Sequence, residues 1–419
     1  MNKHLTSVDQ SDRLVPYNLR QSGETPVEML IFTRVRKSPF WHLSVEAGCW
    51  RATIYNRIYH PFGYVRPEDG GTMVEYQALK NHVTMWDVAV ERQIMVKGPD
   101  AEAFVDYVIT RDATQIPPMR AKYVILCNNM GGVLNDPILL RLSKDEFWFS
   151  LADSDIGIYL QGVNHDNRFD VVIAEIDVCP LQIQGPKSLA LMEYLVGNQA
   201  DVKNLPFYGM LEAKIGGHDC VISQTGFSGE AGFEIYLRDA TLHADDLWYA
   251  VLEAGRKYQL MVTAPPHCRR IQAGILSWGQ DMDNQHNPFQ CNLGYQVSLS
   301  GKGEWNKAGN YIGKDVLEQM QSELKSGKRP YKLQLVGLKM GGKPIEDFAN
   351  DFWLISADDS ANPCGFVTSP WFHPDEKTNI AMAYVPFDGT LNRHGFPIGN
   401  YGQKFKVHLP DKYAEKAGE

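Results

Sequence analysis

The chain has 419 residues, of which 44% are hydrophobic and 22% are charged, as in an average soluble globular protein. This composition excludes disorder, collagen and coiled coil as the dominant state, and the length predicts about three domains. With 41 basic and 50 acidic residues the formal net charge is -9. That balance argues against a general nucleic-acid binder and against docking on anionic lipid.

The cysteines and the N-terminal residues bear on the compartment. Seven scattered cysteines form no C-x-x-C pair, so we expect neither a disulfide framework nor a zinc ribbon. Residues 1–20 lack the apolar region of a signal peptide, and no run of about 18 apolar residues occurs. We therefore expect a cytoplasmic protein without a membrane partner. Residues 1–50 are predicted to form an N-terminal arm that joins the body near Trp41.

A short apolar strand, a Gly-Pro turn and an amphipathic helix occur twice, at residues 92–109 and 180–197. Runs of adjacent strands follow each unit, which favours antiparallel or mixed sheets over a doubly wound parallel sheet. The pattern predicts an α+β fold with two related modules, interleaved within residues 51–320 and divided at about 175. A chance match between two common turns stays open as the alternative.

The C-terminal part changes character. A segment rich in charge, Gly and Pro at residues 321–331 predicts a linker. After it, five strand-like runs separated by turn signals predict a small all-β domain at 330–410, a barrel or a jelly roll.

Several common catalytic signatures are absent from the sequence. It contains no G-x-x-x-x-G-K-[ST], no G-x-G-x-x-G after a strand, no H-E-x-x-H and no G-x-S-x-G. We therefore expect no metal, and a cofactor that binds without a phosphate loop.

Two segments carry candidate site residues on strands. Residues 122–136 predict a hairpin, in which Asp136 lies at the mouth of the second strand. A carboxylate there suits proton handling, although a turn aspartate is the commoner interpretation. In residues 223–236 three glycines would let a flat ligand approach the backbone. Glu234 and Tyr236 then share one strand face by period 2, which is either a site or a solvated outer face.

A third segment, residues 266–283, predicts a helix that carries Arg269 and Arg270 and ends near Gly279. Arg270 is suited to meeting an anion or an amide edge. The alternative is surface charge on an amphipathic helix.

The order of these segments resembles the folate-dependent aminomethyltransferase family, whose founding member is the T-protein of the glycine cleavage system. The resemblance covers about residues 50–410 and rests on the ordered motifs VKGPDA, YVILCNNMGGVLND, QTGFSGEAGFE, RRIQAGILSWGQDMD, NPFQCNLG, YIGKDVL and GFVTS. Further motifs are similar to the dimethylsulfoniopropionate demethylase branch of that family: SPF, IYN, WDVAVERQ, LNDP and SLADSD. The resemblance implies three domains arranged as a cloverleaf around a folate cleft, with tetrahydrofolate as the cofactor.

The resemblance also implies roles for single residues. It makes Asp136 the catalytic carboxylate. Folate contacts are expected at Tyr123, Ser150, Glu234 and Arg270. Contacts with the methyl donor are expected at Tyr55, Phe227 and Tyr236.

Departures from the T-protein pattern narrow the expected reaction. Pro266 stands where the T-protein has arginine, Phe227 replaces a tyrosine, and Asn135 replaces the first Asp of a pair. We therefore expect a demethylase that transfers methyl from a small onium donor to N5 of tetrahydrofolate. The alternatives are an aminomethyltransferase-like enzyme, including one that uses a betaine, methylamine or methoxy donor, and a non-catalytic folate-binding protein. A homodimer is left open.

Overall fold

A computed structural model describes residues 31–299, 307, 309–349, 352–357, 362–399 and 402–414. Most of the predicted arm, residues 1–30, lies outside the described residues. The rest of the arm is part of the body: helix α1 (Trp41–Glu46) follows Phe40, which is fully buried and stacks with Trp248. Ser38 Oγ donates a hydrogen bond to the buried Asp87 carboxylate at 2.7 Å. The arm therefore docks at residues 38–43 rather than at Trp41 alone.

A two-stranded hairpin, β1 (Arg51–Tyr55) and β2 (Ile58–Gly63), follows the arm. Its turn residues Asn56 and Arg57 both have positive φ, at 50° and 59°, which suits a two-residue turn between twisted strands. The Asn56 amide donates to the Val90 and Ala152 carbonyls at 3.0 and 3.1 Å. These bonds fix the end of β1, and with it Tyr55, against the first large sheet.

The first large sheet has five antiparallel strands in the order β10-β4-β9-β8-β5. In sequence, a short hairpin of β6 and β7 connects β5 to β8. The elements are β4 (Gln93–Lys97), α3 (Ala101–Val108), β5 (Arg120–Tyr123), β6 (Leu126–Cys127), β7 (Val133–Asn135), β8 (Ile138–Arg141), β9 (Glu146–Ser150), α4 (Ile156–Val163) and β10 (Val172–Glu175).

The second large sheet has six strands in the order β12-β13-β14-β11-β3-β15, and only β15 runs parallel to its neighbour, β3. The elements are α2 (Gly71–Asn81), β3 (Val83–Asp87), β11 (Val178–Gln184), α5 (Ser188–Val196), β12 (Met210–Ile215), β13 (His218–Ser223), β14 (Gly232–Arg238), α6 (Ala240–Gly255) and β15 (Leu260–Val262). Because β3 precedes the first sheet in sequence, the two modules are interleaved.

The two sheets repeat one topology. Each has a strand, a Gly-Pro turn, a helix and then three strands, in the spatial orders β4-β9-β8-β5 and β11-β14-β13-β12. Gly98 and Gly185 occupy the same position with φ of 150° and 120°, and a Cβ at either would strike a backbone carbonyl of a neighbouring segment. The predicted pair of related modules is therefore confirmed by strand order.

The sheets pack face to face. Trp148 and Leu140 of the first sheet share one buried cluster with Val221 and Tyr236 of the second. The backbone joins them as well, because Ala121 donates to the Tyr208 carbonyl at 2.8 Å and Met210 donates to the Met119 carbonyl at 3.1 Å.

The C-terminal strands form a curled antiparallel half-barrel in the order β16-β19-β18-β17-β20, as the α+β prediction with an all-β end requires. The elements after the second sheet are α7 (His267–Gln272), α8 (Lys314–Lys325), β16 (Leu333–Met340), β17 (Trp353–Ala357), β18 (Pro363–His373), β19 (Thr378–Pro386) and β20 (Phe405–Val407).

Two boundaries predicted from the sequence, the end of a helix and the start of a linker, were wrong. Helix α7 ends at Gln272 rather than near Gly279, because Gly274 adopts φ +71° and turns the chain out of the helix. The predicted linker begins too early, since α8 continues to Lys325. Its charged residues are good helix formers, and Leu317 and Leu324 bury one face of the helix.

Candidate active site

A cavity of about 480 Å³ lies where the two large sheets meet. The walls come from both modules: β5, the β7–β8 connection and β9 of the first, and β11, β14 and the loop before β14 of the second. Six of the eight predicted site residues line it: Tyr55, Tyr123, Asp136, Ser150, Phe227 and Glu234.

Asp136 lies between β7 and β8, held by the residues beside it. The Asn135 side chain donates to the Ala152 carbonyl and to Ser154 Oγ, at 3.0 and 2.7 Å, and so fixes the connection. The Tyr123 hydroxyl donates to Asp136 Oδ2 at 2.8 Å, while Oδ1 is buried and has no partner among the described residues. Burial raises the pKa of Asp136 to about 7, although the Tyr123 hydrogen bond acts to lower it.

Glu234 is a buried carboxylate held by three donors. Gln182 lies directly opposite it across β11 and β14 and donates at 2.5 Å, and the Tyr236 hydroxyl donates at 2.7 Å. Thr225 provides the third hydrogen bond. The predicted polar face is therefore buried between the sheets, and the alternative of a solvated outer face is wrong. Burial raises the pKa of Glu234, while these hydrogen bonds act to lower it.

Sequence reasoning missed Glu91, which lines the same cavity. Ser150 Oγ donates to Glu91 Oε2 at 2.9 Å and accepts from the Gln93 amide at 2.7 Å. Burial, together with the charge of Glu234, raises the pKa of Glu91 well above its usual range. Its position in the WDVAVERQ motif was the available signal, but a single motif does not reveal that Glu91 meets residues from another module.

Two predicted residues do not line this cavity. Tyr236 is fully buried between the sheets, and its hydroxyl donates a hydrogen bond to Glu234, which lines the cavity. Direct contact with a methyl donor, as predicted for Tyr236, is therefore not what the geometry provides. Its side chain instead orients the Glu234 carboxylate.

Arg270 forms a buried ion pair with Asp281 at 2.6 Å, with side chains 3% and 0% exposed. It also donates to Ser369 Oγ at 2.7 Å and to the Ile275 carbonyl at 3.1 Å. The alternative of exposed surface charge is wrong. Arg270 does not line this cavity, although it lines an adjoining one, and its guanidinium joins α7 to β18. The predicted folate contact of Arg270 stays a prediction.

The glycine-rich loop is shaped by protein contacts. A Cβ at Gly226 or Gly232 would lie 2.2 or 2.3 Å from the Gln184 side chain, and one at Gly229 would lie 2.8 Å from the Ala273 Cβ. These glycines line the cavity, yet the space that they leave is filled by Gln184 and Ala273. Close approach of a ligand was therefore the wrong reason for their presence.

A second cavity of about 510 Å³ adjoins the first. The two cavities share six lining residues: Tyr55, Glu91, Gln182, Phe227, Ser277 and Trp278. We call these six residues the neck. It combines three aromatic rings with one carboxylate, and it joins the chamber that holds Asp136 to a chamber walled in part by the β1–β2 hairpin.

Other features lie away from these chambers. His218, His243 and Asp246 have ligand atoms within 4.8 Å of one another, so they could hold a metal ion, but none of them lines either cavity. None of the described helices has the length and apolar composition that a membrane crossing would need.

Comparison with known proteins assigns the chain to a family. The family model described as the GCVT N-terminal domain matches residues 42–301, more than half of the chain. The chain belongs to the GCVT family of folate-dependent aminomethyltransferases. The family recognised from the ordered motifs is thereby confirmed.

Family members with different reactions resemble the chain to similar degrees. Dimethylsulfoniopropionate demethylase DmdA of Ruegeria pomeroyi is 32% identical over 84% of this chain and 90% of its own length. An aminomethyltransferase of Caldanaerobacter subterraneus subsp. tengcongensis is 30% identical over 74% of this chain and 79% of its own. The crystal structure of aminomethyltransferase T from Bartonella henselae has a TM-score of 0.71 at 23% identity, covering 84% and 90% of the two chains. That structural likeness confirms the fold.

Proposed function

We propose that the protein is a tetrahydrofolate-dependent demethylase. It transfers a methyl group from a small onium donor, with dimethylsulfoniopropionate the best candidate, to N5 of tetrahydrofolate. The products are 5-methyltetrahydrofolate and a neutral thioether. The observation that carries this proposal is the neck, where aromatic rings and Glu91 open onto the chamber that holds Asp136.

The first chamber suits the pterin of a folate. Buried acceptors face it: the fixed carboxylate of Glu234, and the oxygens Asp136 Oδ1 and Gln182 Oε1, which have no partners among the described residues. A buried acceptor without a partner is costly, so donors from a ligand would stabilise this wall. A carboxylate can accept two parallel N–H bonds, which the amino-pyrimidine edge of a pterin offers. Tyr123 adds an aromatic face.

Tetrahydrofolate would supply the N5 nucleophile, which must lose a proton when it is methylated. Asp136 is the proposed proton acceptor, directly or through one water. A pKa of about 7 suits a general base near neutral pH, because a large fraction of the carboxyl is then ionised and the carboxylate is still basic enough to accept a proton. The Tyr123 hydroxyl orients this carboxylate by occupying Oδ2 and leaving Oδ1 free for the proton.

The neck suits a cationic methyl donor. Tyr55 and Phe227 can place ring faces on an onium group, which contributes about 0.5–2 kcal/mol for each ring. Glu91 has a raised pKa, and a bound cation would favour its ionised form by Coulomb attraction. A sulfonium methyl already has a neutral leaving group, so the transfer needs no general acid.

Product analysis tests the proposal. Purified protein, tetrahydrofolate and dimethylsulfoniopropionate would be incubated without oxygen, and 5-methyltetrahydrofolate would be quantified. Parallel reactions would contain glycine betaine, or an aminomethylated lipoyl protein with ammonia release as the readout. We expect product with the sulfonium donor. Product formed with glycine betaine but not with the sulfonium would show that a betaine is the methyl donor. Ammonia release would show that the protein is an aminomethyltransferase. Folate binding without any product would show that it is a non-catalytic binding protein.

A further inference from the structure

Two histidines and an aspartate meet where the β12–β13 turn reaches helix α6: His218, His243 and Asp246. Their ligand atoms, one nitrogen from each imidazole and one carboxylate oxygen, all lie within 4.8 Å of one another. His218 Nε2 is 2.8 Å from Asp246 Oδ2, and the two imidazole rings stack with their centroids 3.8 Å apart. We call these three residues the rim triad. It lines neither chamber, so its chemistry is independent of the proposed function.

The rim triad is carried by a hairpin and a helix that pack closely together. His218 begins β13, directly after the turn residues Gly216 and Gly217, and His243 and Asp246 lie three residues apart on α6. A Cβ at Gly216 would lie 2.9 Å from the Asp246 carbonyl oxygen, so the turn packs directly against the helix backbone. Buried residues of the hairpin and the helix share one hydrophobic core: Ile215, Cys220, Ala244 and Leu247. Both elements therefore hold the triad on a rigid support.

A surface ion pair explains only part of this arrangement. It accounts for His218 and Asp246, just as a similar pair joins His42 to Asp245, the preceding residue of α6, at 2.9 Å. An ion pair does not need the second imidazole, that of His243, which adds another nitrogen donor beside the same carboxylate. Within the described part of the chain, no lysine or arginine pairs with Asp246, so its carboxylate stays able to bind a cation.

The donor set of the rim triad favours Zn²⁺ over Ca²⁺ or Mg²⁺. Imidazole nitrogen suits Zn²⁺, whereas Ca²⁺ and Mg²⁺ prefer oxygen ligands. Zn²⁺ binds these ligands at about 2.0–2.2 Å, which in tetrahedral geometry places them about 3.3 Å apart. Ligand atoms up to 4.8 Å apart must therefore close by at most about 1.5 Å. Side-chain rotation can provide this movement, because the Asp246 side chain is 62% exposed.

We propose that the rim triad binds Zn²⁺, with water at the fourth position, and so ties the β12–β13 turn to α6. A structural role follows from the place of the triad, because the ion cross-links two elements away from both chambers. The sequence-based expectation of no metal rested on linear motifs, and no such motif describes ligands that come from separate elements.

Titration of the metal-free protein with Zn²⁺ tests this inference. Protein treated with a chelator, and then freed of it, would be titrated by calorimetry. We expect one equivalent to bind and to raise the melting temperature, because a metal that binds only the folded state stabilises it. His243→Gln should weaken this binding by at least about 100-fold, since losing even a hydrogen-bonding partner of a ligand costs about 10- to 100-fold.

His42→Gln is the matched control. His42 pairs with Asp245, beside the rim triad on α6, but is not one of its three members. This variant should bind Zn²⁺ as the unaltered protein does, because it removes a neighbouring histidine without removing a ligand. Thermal melts without metal would show that each variant is folded.

Absorption spectra with Co²⁺ in place of Zn²⁺ identify the ligands. Thiolate ligands give Co²⁺ an intense near-ultraviolet charge-transfer band, which nitrogen and oxygen ligands do not give, and we expect visible absorption without that band. A thiolate band would overturn the proposal, as would the absence of saturable Zn²⁺ binding. Unchanged affinity in His243→Gln, or an equal loss in His42→Gln, would overturn it as well. None of these outcomes bears on the demethylase proposal, since neither folate nor methyl donor is present.

Discussion

The buried carboxylates of Asp281 and Asp136 differ in how fully they are hydrogen-bonded. Around Asp281, Arg270 forms an ion pair, and Thr368 and Ser369 donate further hydrogen bonds to the same carboxylate. Around Asp136, the Tyr123 hydroxyl donates to one carboxylate oxygen, and the second oxygen has no partner among the described residues. A fully paired carboxylate stabilises the fold, whereas an underpaired one stays available to a ligand. Family-like motifs surround both groups, so resemblance alone does not separate their roles.

The largest expected effect is a loss of stability when the buried Arg270–Asp281 ion pair is broken. Removing one member of a buried ion pair leaves an uncompensated charge, which costs about 3–5 kcal/mol. We expect Arg270→Met to lower the free energy of unfolding by that amount in urea denaturation, with folate affinity little changed where the protein stays folded.

Asp136→Asn is the contrasting variant for the same denaturation experiment. The folded protein raises the pKa of Asp136 to about 7, from about 3.9 in an unfolded chain, so ionisation above about pH 4 opposes folding. Removing this ionisable group should therefore leave stability at pH 8 unchanged or increased. Equal losses for Arg270→Met and Asp136→Asn would erase the distinction between the two groups.

Glu234→Gln should weaken tetrahydrofolate binding by about 10- to 100-fold, because hydrogen bonds to a charged group contribute about 1.5–3 kcal/mol. Titration calorimetry would measure this change. Glu212→Gln is the control, since Glu212 pairs with Arg238 at an exposed site outside both cavities. Unchanged affinity in Glu234→Gln would remove Glu234 from the folate site.

Glu91→Gln should affect the methyl donor more than the folate. Losing about 1–2 kcal/mol of Coulomb attraction to a cation would raise KM for the onium donor by about 5- to 30-fold. The dissociation constant for tetrahydrofolate should change by less than this KM in the same preparation, because Glu91 meets the proposed pterin wall indirectly, through Ser150 and the charge of Glu234. A larger effect on folate than on donor would reassign Glu91 to the pterin.

Tyr123→Phe should give the smallest effect, a shift of the pH–rate profile to higher pH. The Tyr123 hydroxyl lowers the pKa of Asp136, so its removal raises that pKa further above 7. Because the ionised carboxylate is the active form, the rising limb of the kcat/KM profile should move to higher pH by about one unit. A shift to lower pH would show that Asp136 is not the titrating group.

Local signals in the sequence predicted much of the fold and part of the site. The repeated Gly-Pro turns marked the two modules, because a positive φ at Gly98 and Gly185 is a requirement within one segment. The strand pattern placed Glu234 and Tyr236 on one face for the same reason. The predicted domain limits, with a division at about residue 175, stay predictions.

What the sequence did not reveal depends on distant partners. Glu91 belongs to the site because Ser150 and Glu234 come to it from other strands. Arg270 binds Asp281 and Ser369, which are 11 and 99 residues away, whereas the helical pattern around it left a ligand contact and an exposed surface charge as alternatives. Local periodicity cannot separate a buried ion pair from a ligand contact.

The most direct test of the account is a single-turnover measurement on Asp136→Asn. Enzyme saturated with tetrahydrofolate would be mixed anaerobically with methyl-labelled dimethylsulfoniopropionate, and the rate at which label reaches 5-methyltetrahydrofolate would be compared with that of the unaltered protein. We predict a rate lower by about 10²- to 10⁴-fold, the usual contribution of a positioned general base, with stability at pH 8 unchanged or increased. An undiminished rate in the folded variant would contradict the role of Asp136.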